Sequence, residues 1–389
     1  YTDFGFFPRK DDCYWESPFT SYTYDKYAYE EACRESVLDK RTYTLCDSLT
    51  ATDASYLVEP VDGLWLLAID GGVYLPKEMK DGKWTYQGSS AGYNLVLKHK
   101  PFLLPWVRKV VEEARKRHKT LVAFSHYPLV DFNDGVSESV RRMWGDRCFD
   151  LHRVPEAEVS EAFLQVGLRL HFAGHMHVND TGIWEGKDGK HLYNIQVPSI
   201  ATYVPAYKIL TIESDEVFRV ETVALDTVPG FDSLFPLYRA EYQSDSLKGH
   251  SPVWNKEILS ARTYGEFCDY QFRDLVRLRF IPRDLPESWR ACLDFTGARM
   301  LKAVSGEDKA NNVNWTGWCM KDLVLDVYRL RYAERLALKD IPETRLAVYR
   351  YLFDRARIST FRSAEVEMVK GLGTLFLAFL NGEPCQNFV

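Results

Sequence analysis

Three short apolar runs, each ending on a residue able to do chemistry, constrain this chain more than any other feature. "GLWLLAID" stops at Asp70, "TLVAFSH" at His126, and "LRLHFAGHMH" at His175 and His177. Unbroken apolar runs, rather than alternating ones, suit strands buried on both faces of a sheet. Between the first two lies "PFLLPWVRKVVEEARKRHK", in which Leu103, Trp106, Val107, Val110, Val111 and Ala114 recur at helical spacing, with charges opposite. Before the third, "EAEVSEAFLQVG" predicts a second helix, stopped by Gly167. Strand, helix, strand, loop, helix, strand is the rhythm of an α/β layer.

The flanks differ in character. The first sixty residues are dense in aromatics, among them Phe4, Phe6, Tyr14, Trp15, Tyr22 and Tyr24, with no sustained period. They predict an irregular cover, or an aromatic binding surface, with one short helix near "YAYEEACRESVL". After the third strand, "TGIWEGKDGKHLYNIQV" predicts a hairpin turning at Asp188-Gly189, and "YKILTIE" and "VFRVETVAL" two more strands of the same mixed sheet. Residues 227–254 are rich in Pro, Gly, Ser and Asp, as linkers are, and from 255 every long segment is helical by spacing. Pro286 and Pro342 stand where first turns would begin. At 389 residues the chain exceeds one ordinary core. The expected division is an α/β domain over 1–226, a linker over 227–254 and a helical domain over 255–389.

Composition excludes some partners. A net charge of −6 argues against nucleic acid, whose phosphates need a clustered basic face. No transmembrane segment is expected, since no run reaches the roughly 18 apolar residues that would span a bilayer. The eight cysteines form no Cys-x-x-Cys pair, and buried free thiols are a simpler reading than disulfides.

The strand ends carry the chemistry. In open α/β sheets ligands gather beyond the carboxyl ends of strands. Imidazole binds borderline divalent metals through either ring nitrogen, and Gly174 would let the backbone turn sharply beside an ion. Each residue also has a plain structural role to fill. Asp70 suits a turn or a cap, His171 a hydrogen-bonded core, and a lone strand-end histidine is more often structural than a ligand. The combination of His126, His175 and His177 on successive strand ends of one sheet is what sets them apart.

"FSHYPL", followed 49 residues later by "FAGHMH", resembles the last two sequence blocks of the calcineurin-like metallophosphoesterase family. "YLVEPVDGLWLLAIDGG" and "YNIQVPSIATYVPAYKILTIE" extend the likeness over roughly residues 1–224. The resemblance implies an α/β fold, the second half of a four-layer α/β/β/α sandwich, followed here by a mainly α-helical domain. It implies two divalent metal ions (Mn, Fe or Zn), with His126 and His175 on one and His177 on the other. The implied reaction is hydrolysis of a phosphomonoester or phosphodiester of a phosphorylated small molecule by metal-activated water.

The family's earlier blocks, Asp-x-His, Gly-Asp-x-x-Asp and Gly-Asn-His-Asp/Glu, are not in place; Asp150-Leu151-His152 matches the first by accident of order. The expectation is therefore a fragment, inactive alone, whose partner is the missing N-terminal half of the same domain. A non-catalytic envelope or binding protein using the sandwich as a scaffold is the alternative, and a structural zinc site on the three histidines a third. The resemblance to exported bacterial proteins points to the cell envelope or periplasm.

Overall fold

The computed structural model describes residues 5–46, 49–88, 91–214, 217–249, 254–308, 315–383 and 387–388. Phe4 and Cys385 lie outside them. The chain forms two compact units, each gathered from separate stretches. The first holds 1–132, 152–176 and 181–196; the second holds 133–151, 177–180 and 197–389. Compactness thus divides the chain elsewhere than at residue 226.

The first unit is built on a seven-stranded mixed sheet. Its strands are β1 (Tyr14–Glu16), β2 (Tyr56–Val61), β3 (Leu64–Ile69), β4 (Thr120–Ser125), β5 (Leu170–Ala173), β6 (Thr181–Glu185) and β7 (His191–Gln196). The order is β1-β2-β3-β4-β5-β7-β6. Its centre is parallel: β3 pairs with β4, β4 with β5 and β5 with β7, while the outer pairings are antiparallel. Helices α1 (Leu103–Lys116) and α2 (Ala157–Gln165) make the crossovers into β4 and β5, which parallel pairing requires.

Each element follows from its residues. Helix α1 buries Leu103, Trp106, Val107, Val110, Val111 and Ala114, the stripe read from the sequence. Gly167, at φ +100°, ends the turn after α2; a Cβ there would meet Val111 Cγ1 at 2.8 Å, so the stop also lets two helices approach. Asp188-Gly189 turns the β6–β7 hairpin as expected, with Gly189 at φ +74°.

The strands are not closed equally on both faces. Trp65, Leu67, Ile69 and Ala123 share one core with the α1 and α2 stripes, whereas Leu66, Phe124 and Phe172 on the opposite face are only partly buried. The aromatic N-terminal stretch is less irregular than its pattern suggests. It supplies edge strand β1, and Tyr14, Trp15 and Tyr22 enter the core. Buried Glu16 ties that edge to α1, accepting from Trp106 Nε1 at 2.9 Å and Lys109 Nζ at 2.9 Å. Hairpins over 42–46/49–52 and 76–80/83–86 complete this unit.

The second unit is mainly helical: α3 (Phe235–Leu247), α4 (Tyr264–Leu275), α5 (Gly297–Ser305), α6 (Met320–Ala333), α7 (Glu343–Ile358) and α8 (Ala364–Leu380). Thr263, Thr296 and Ser363 cap α4, α5 and α8 through their hydroxyls, and Pro342 precedes α7. Two features depart from expectation. Strands β8 (Ala206–Ile212) and β9 (Phe218–Ala224) do not extend the central sheet; they pair with each other and with 387–388 in a separate one. The stretch read as a linker, 227–254, contains α3, because its polar composition hid a helical segment. Buried charge is paired here. Arg329 reaches Asp269 at 2.6 Å, and Asp326 meets Arg345 at 2.8 Å and the Tyr349 hydroxyl at 2.9 Å. Among the described residues no helix is long and apolar enough to cross a membrane.

Candidate metal centre

Parallel pairing brings three strand ends level. Ile69 is opposite Ser125, and Ser125 opposite Ala173, so the residues that follow emerge at one edge. There His175 Nδ1 lies 2.6 Å from His126 Nε2. The two rings meet edge-on, with centroids 4.6 Å apart, and Tyr127 lies 4.5 Å from the His175 ring. His126 is exposed and His175 half-buried.

The local backbone explains the approach. Gly174 N donates to His126 O at 3.2 Å, stitching the two strand ends one residue beyond the sheet. The sharp turn belongs to the histidines themselves. His175 has φ +59° and His177 φ +57°, while Gly174 stays out of the left-handed region. Such conformations are costly for residues with a Cβ and cluster at functional sites.

Two neighbours take structural roles. Asp70 accepts from Gly72 N at 2.9 Å, Ala54 N at 3.1 Å and Lys100 Nζ at 2.9 Å, so its carboxylate is committed to the turn. Lys100 also reaches Asp53 at 2.8 Å. Burial opposes the lysine's charge, but the Asp53 and Asp70 carboxylates outweigh it and raise its pKa. His171 is fully buried, with Nδ1 2.8 Å from Asn194 Oδ1 and Nε2 3.0 Å from Ser125 Oγ. Desolvation pushes its pKa down to about 4. It is a neutral core histidine that braces the strand leading to His175.

His177 belongs to the second unit, as does Asp180 after it. The His177 side chain is exposed, yet protein around part of the ring withdraws enough water to lower its pKa. In the same unit Asp134, Asp180 and Glu334 place ligand oxygens within 4.8 Å of one another. Asn179 N donates to Tyr332 O at 2.9 Å, which sets the next residue, Asp180, against the end of α6, where Glu334 caps the helix at φ +42°. Gly382 packs on Asp134; a Cβ there would fall 2.4 Å from Oδ1. Three carboxylates this close suit a hard divalent cation or a shared proton. The sequence offered one hint, an acid three residues after His177. Asp134 and Glu334 lie too far apart in the chain to be associated from spacing.

The histidine pair stands at hydrogen-bond distance, 2.6 Å from Nδ1 to Nε2. Two imidazole nitrogens each about 2.1 Å from one tetrahedral ion lie roughly 3.4 Å apart, so the rings would have to separate to share a cation.

No family model matches the chain, and no curated protein does. A solved structure that it resembles is a dimetal phosphatase from Danio rerio, at 14% identity and a TM-score of 0.27, with 44% of this chain covered. The chain spans 57% of that protein's length.

Proposed function

We propose that this chain carries the histidine side of a metal-dependent phosphoesterase centre. His126 and His175 hold one divalent ion, His177 contributes to a second, and the substrate is a phosphate ester of a small molecule. The observation that carries the reading is the 2.6 Å approach of His175 Nδ1 to His126 Nε2 at the level ends of β4 and β5. When bound, divalent ions polarise a phosphoryl oxygen and ready a water for attack on phosphorus. The chain's own residues supply position. The His171–Asn194–Ser125 network braces both strands, and the Asp70–Lys100 pair holds the neighbouring strand end.

A second reading, a metal-binding scaffold without catalysis, is favoured by one observation: Asp-x-His, Gly-Asp-x-x-Asp and Gly-Asn-His-Asp/Glu do not stand in place among these residues. Calorimetric titration with Mn²⁺ and Zn²⁺ tests what the readings share. Saturable binding is expected, weakened at least tenfold in His126→Ala and His175→Ala with thermal stability retained. Unchanged binding in both variants overturns the site. Hydrolysis of an aryl phosphate separates the readings. Little or none is expected from the 389 residues alone. Turnover of about 1 to 10³ per second, the ordinary enzymatic range, would establish a complete centre and dismiss the scaffold.

A further inference from the structure

In the first unit the hairpin of Pro76–Lys80 and Lys83–Tyr86 begins and ends at the edge where His126 and His175 emerge. The chain enters it from β3, whose last residue, Ile69, is opposite Ser125, the residue before His126. Val73 is buried and Leu75 packs on the core, which anchors that side. Gln87 N donates to Leu75 O at 2.8 Å, so the hairpin's ladder continues down to the same anchor. The chain leaves toward Gly92, where a Cβ would stand 3.7 Å from Tyr127 Cδ1. The Tyr127 ring lies 4.5 Å from that of His175. Both ends of the segment therefore reach the level of the histidine pair.

The two faces of the hairpin differ. Met79 is paired with Trp84, and cross-strand partners share a face. Tyr86, two residues on, joins them. These three side chains are 59%, 40% and 49% exposed. The opposite face carries Glu78, Lys80, Lys83 and Thr85, with Lys80 and Glu78 paired at 3.0 Å. The charged side is suited to water, and the apolar side is the one that gains from a cover. Its size limits what that cover is. A whole aromatic side chain buries about 150–250 Å², so three half-exposed ones offer roughly 300 Å². A stable partner protein covers about 800 Å², which this face does not supply. A membrane-binding surface sets basic groups to attract anionic lipid beside its apolar ones. Here the lysines lie on the other face, and the chain's net charge is −6. A single planar ring fits, because it stacks on indole or phenol whatever its substituents.

The geometry points to this hairpin as the platform for the organic part of the substrate: Met79, Trp84 and Tyr86 hold a planar aromatic ring whose phosphate ester lies at the histidine pair. Trp84 stands three residues above Gln87, about 10 Å along the strand. The ring is therefore set off from the phosphate by a spacer rather than joined to it directly. The inference rests on the phosphoesterase reading and names its substrate class, an ester of an alcohol that ends in an aromatic ring.

Calorimetry on the full chain with Mn²⁺ present compares two ligands that resist hydrolysis and differ only by the ring, 3-(2-naphthyl)propylphosphonate and propylphosphonate. The naphthyl compound should bind at least tenfold tighter, the scale of one stacked ring. Trp84→Ser should weaken it about tenfold and leave propylphosphonate unchanged, while Trp84→Phe, which keeps a ring, should lose about threefold at most. Tyr86→Ser gives the same comparison if Trp84→Ser does not fold. Equal affinity for the two phosphonates, or naphthyl binding unmoved by both serine variants, overturns the platform. So does a lack of binding of either phosphonate while Mn²⁺ still binds, which leaves the metal pair standing. Naphthyl binding that falls in Trp84→Ser but ignores His126→Ala keeps the ring site and sinks the phosphoesterase reading beneath it. A Trp84→Ser effect confined to the sedimentation coefficient assigns the face to a second copy, and one confined to vesicle retention to a membrane; either overturns the proposal.

Discussion

Lys100 Nζ sits 2.8 Å from Asp53 Oδ2, and both side chains are withdrawn from water. The same ammonium reaches Asp70 at 2.9 Å, so one cation holds two carboxylates at the end of β3. Removing one partner of a buried pair leaves an uncompensated charge, which costs more than the pair itself contributes. Lys100→Met should therefore lower unfolding stability by about 3–5 kcal/mol, measured by urea denaturation. Asp70→Asn should cost less, because Asp53 remains to partner the lysine and Asp70 keeps some solvent. Equal losses in the two variants would show that Asp53 does not carry the main share.

His171 makes stability depend on pH. Its folded pKa of about 4 lies below the ordinary histidine value of 6.5, so the folded state resists protonation that the unfolded chain accepts. The contribution is fully present above pH 6.5 and is lost as pH falls toward 4. The difference corresponds to about 3 kcal/mol, at about 1.4 kcal/mol per pH unit. Urea titrations at pH 7 and pH 4.5 should show this loss in the parent chain and a smaller one in His171→Gln. In an NMR titration the His171 ring should remain neutral at pH 5.5. A midpoint near 6.5 would remove the basis of the prediction.

How much of this was legible in the sequence follows from where the signals lay. The α1 stripe was readable because its buried side chains face one core and record its period, the Gly167 stop because the turn there needs a positive φ, and the three parallel strands because they are unbroken apolar runs. The hairpin over 76–80 and 83–86 was not, although Asp81 and Gly82 both adopt positive φ at its turn. Its strands, "PKEMK" and "KWTY", are largely exposed, so no apolar alternation marks them. Strand β1 has three residues, too few to show a period. The separate sheet of β8 and β9 escaped for a different reason. Alternation identifies a strand but not the sheet that will accept it. His126, His175 and His177 stood out in the sequence because they follow apolar runs, whereas the Asp134–Asp180–Glu334 cluster is assembled by tertiary folding alone.

The cysteines give a separate check on burial. Cys13, Cys33, Cys46, Cys148, Cys268, Cys292 and Cys319 are all free thiols. Burial pushes Cys148 and Cys268 up to about 11, and a thiol so raised carries little thiolate at pH 8. Titration with an aromatic disulfide should modify exposed Cys13 first and leave Cys148 and Cys268 unreacted until denaturant is added. Fast modification of Cys148 in the folded chain would contradict its burial.

The left-handed conformation of His175 allows its chemical role to be separated from its structural one. At φ +59° a residue with a Cβ is strained, and glycine is not. Such strain costs of the order of 1–3 kcal/mol and persists where the side chain is needed. His175→Gly should therefore be more stable than His175→Ala by about 1 kcal/mol, since only the glycine accepts the backbone freely. Both variants remove the imidazole opposite His126, so both should lose Mn²⁺ and Zn²⁺ affinity to a similar degree, at least tenfold. Denaturant unfolding supplies the first comparison and calorimetry the second. If His175→Gly gains stability over alanine and keeps the parent's metal affinity, the ring is not a ligand. If the two variants are equally stable, the backbone at 175 is not strained, and its left-handed turn gives no support to a functional site.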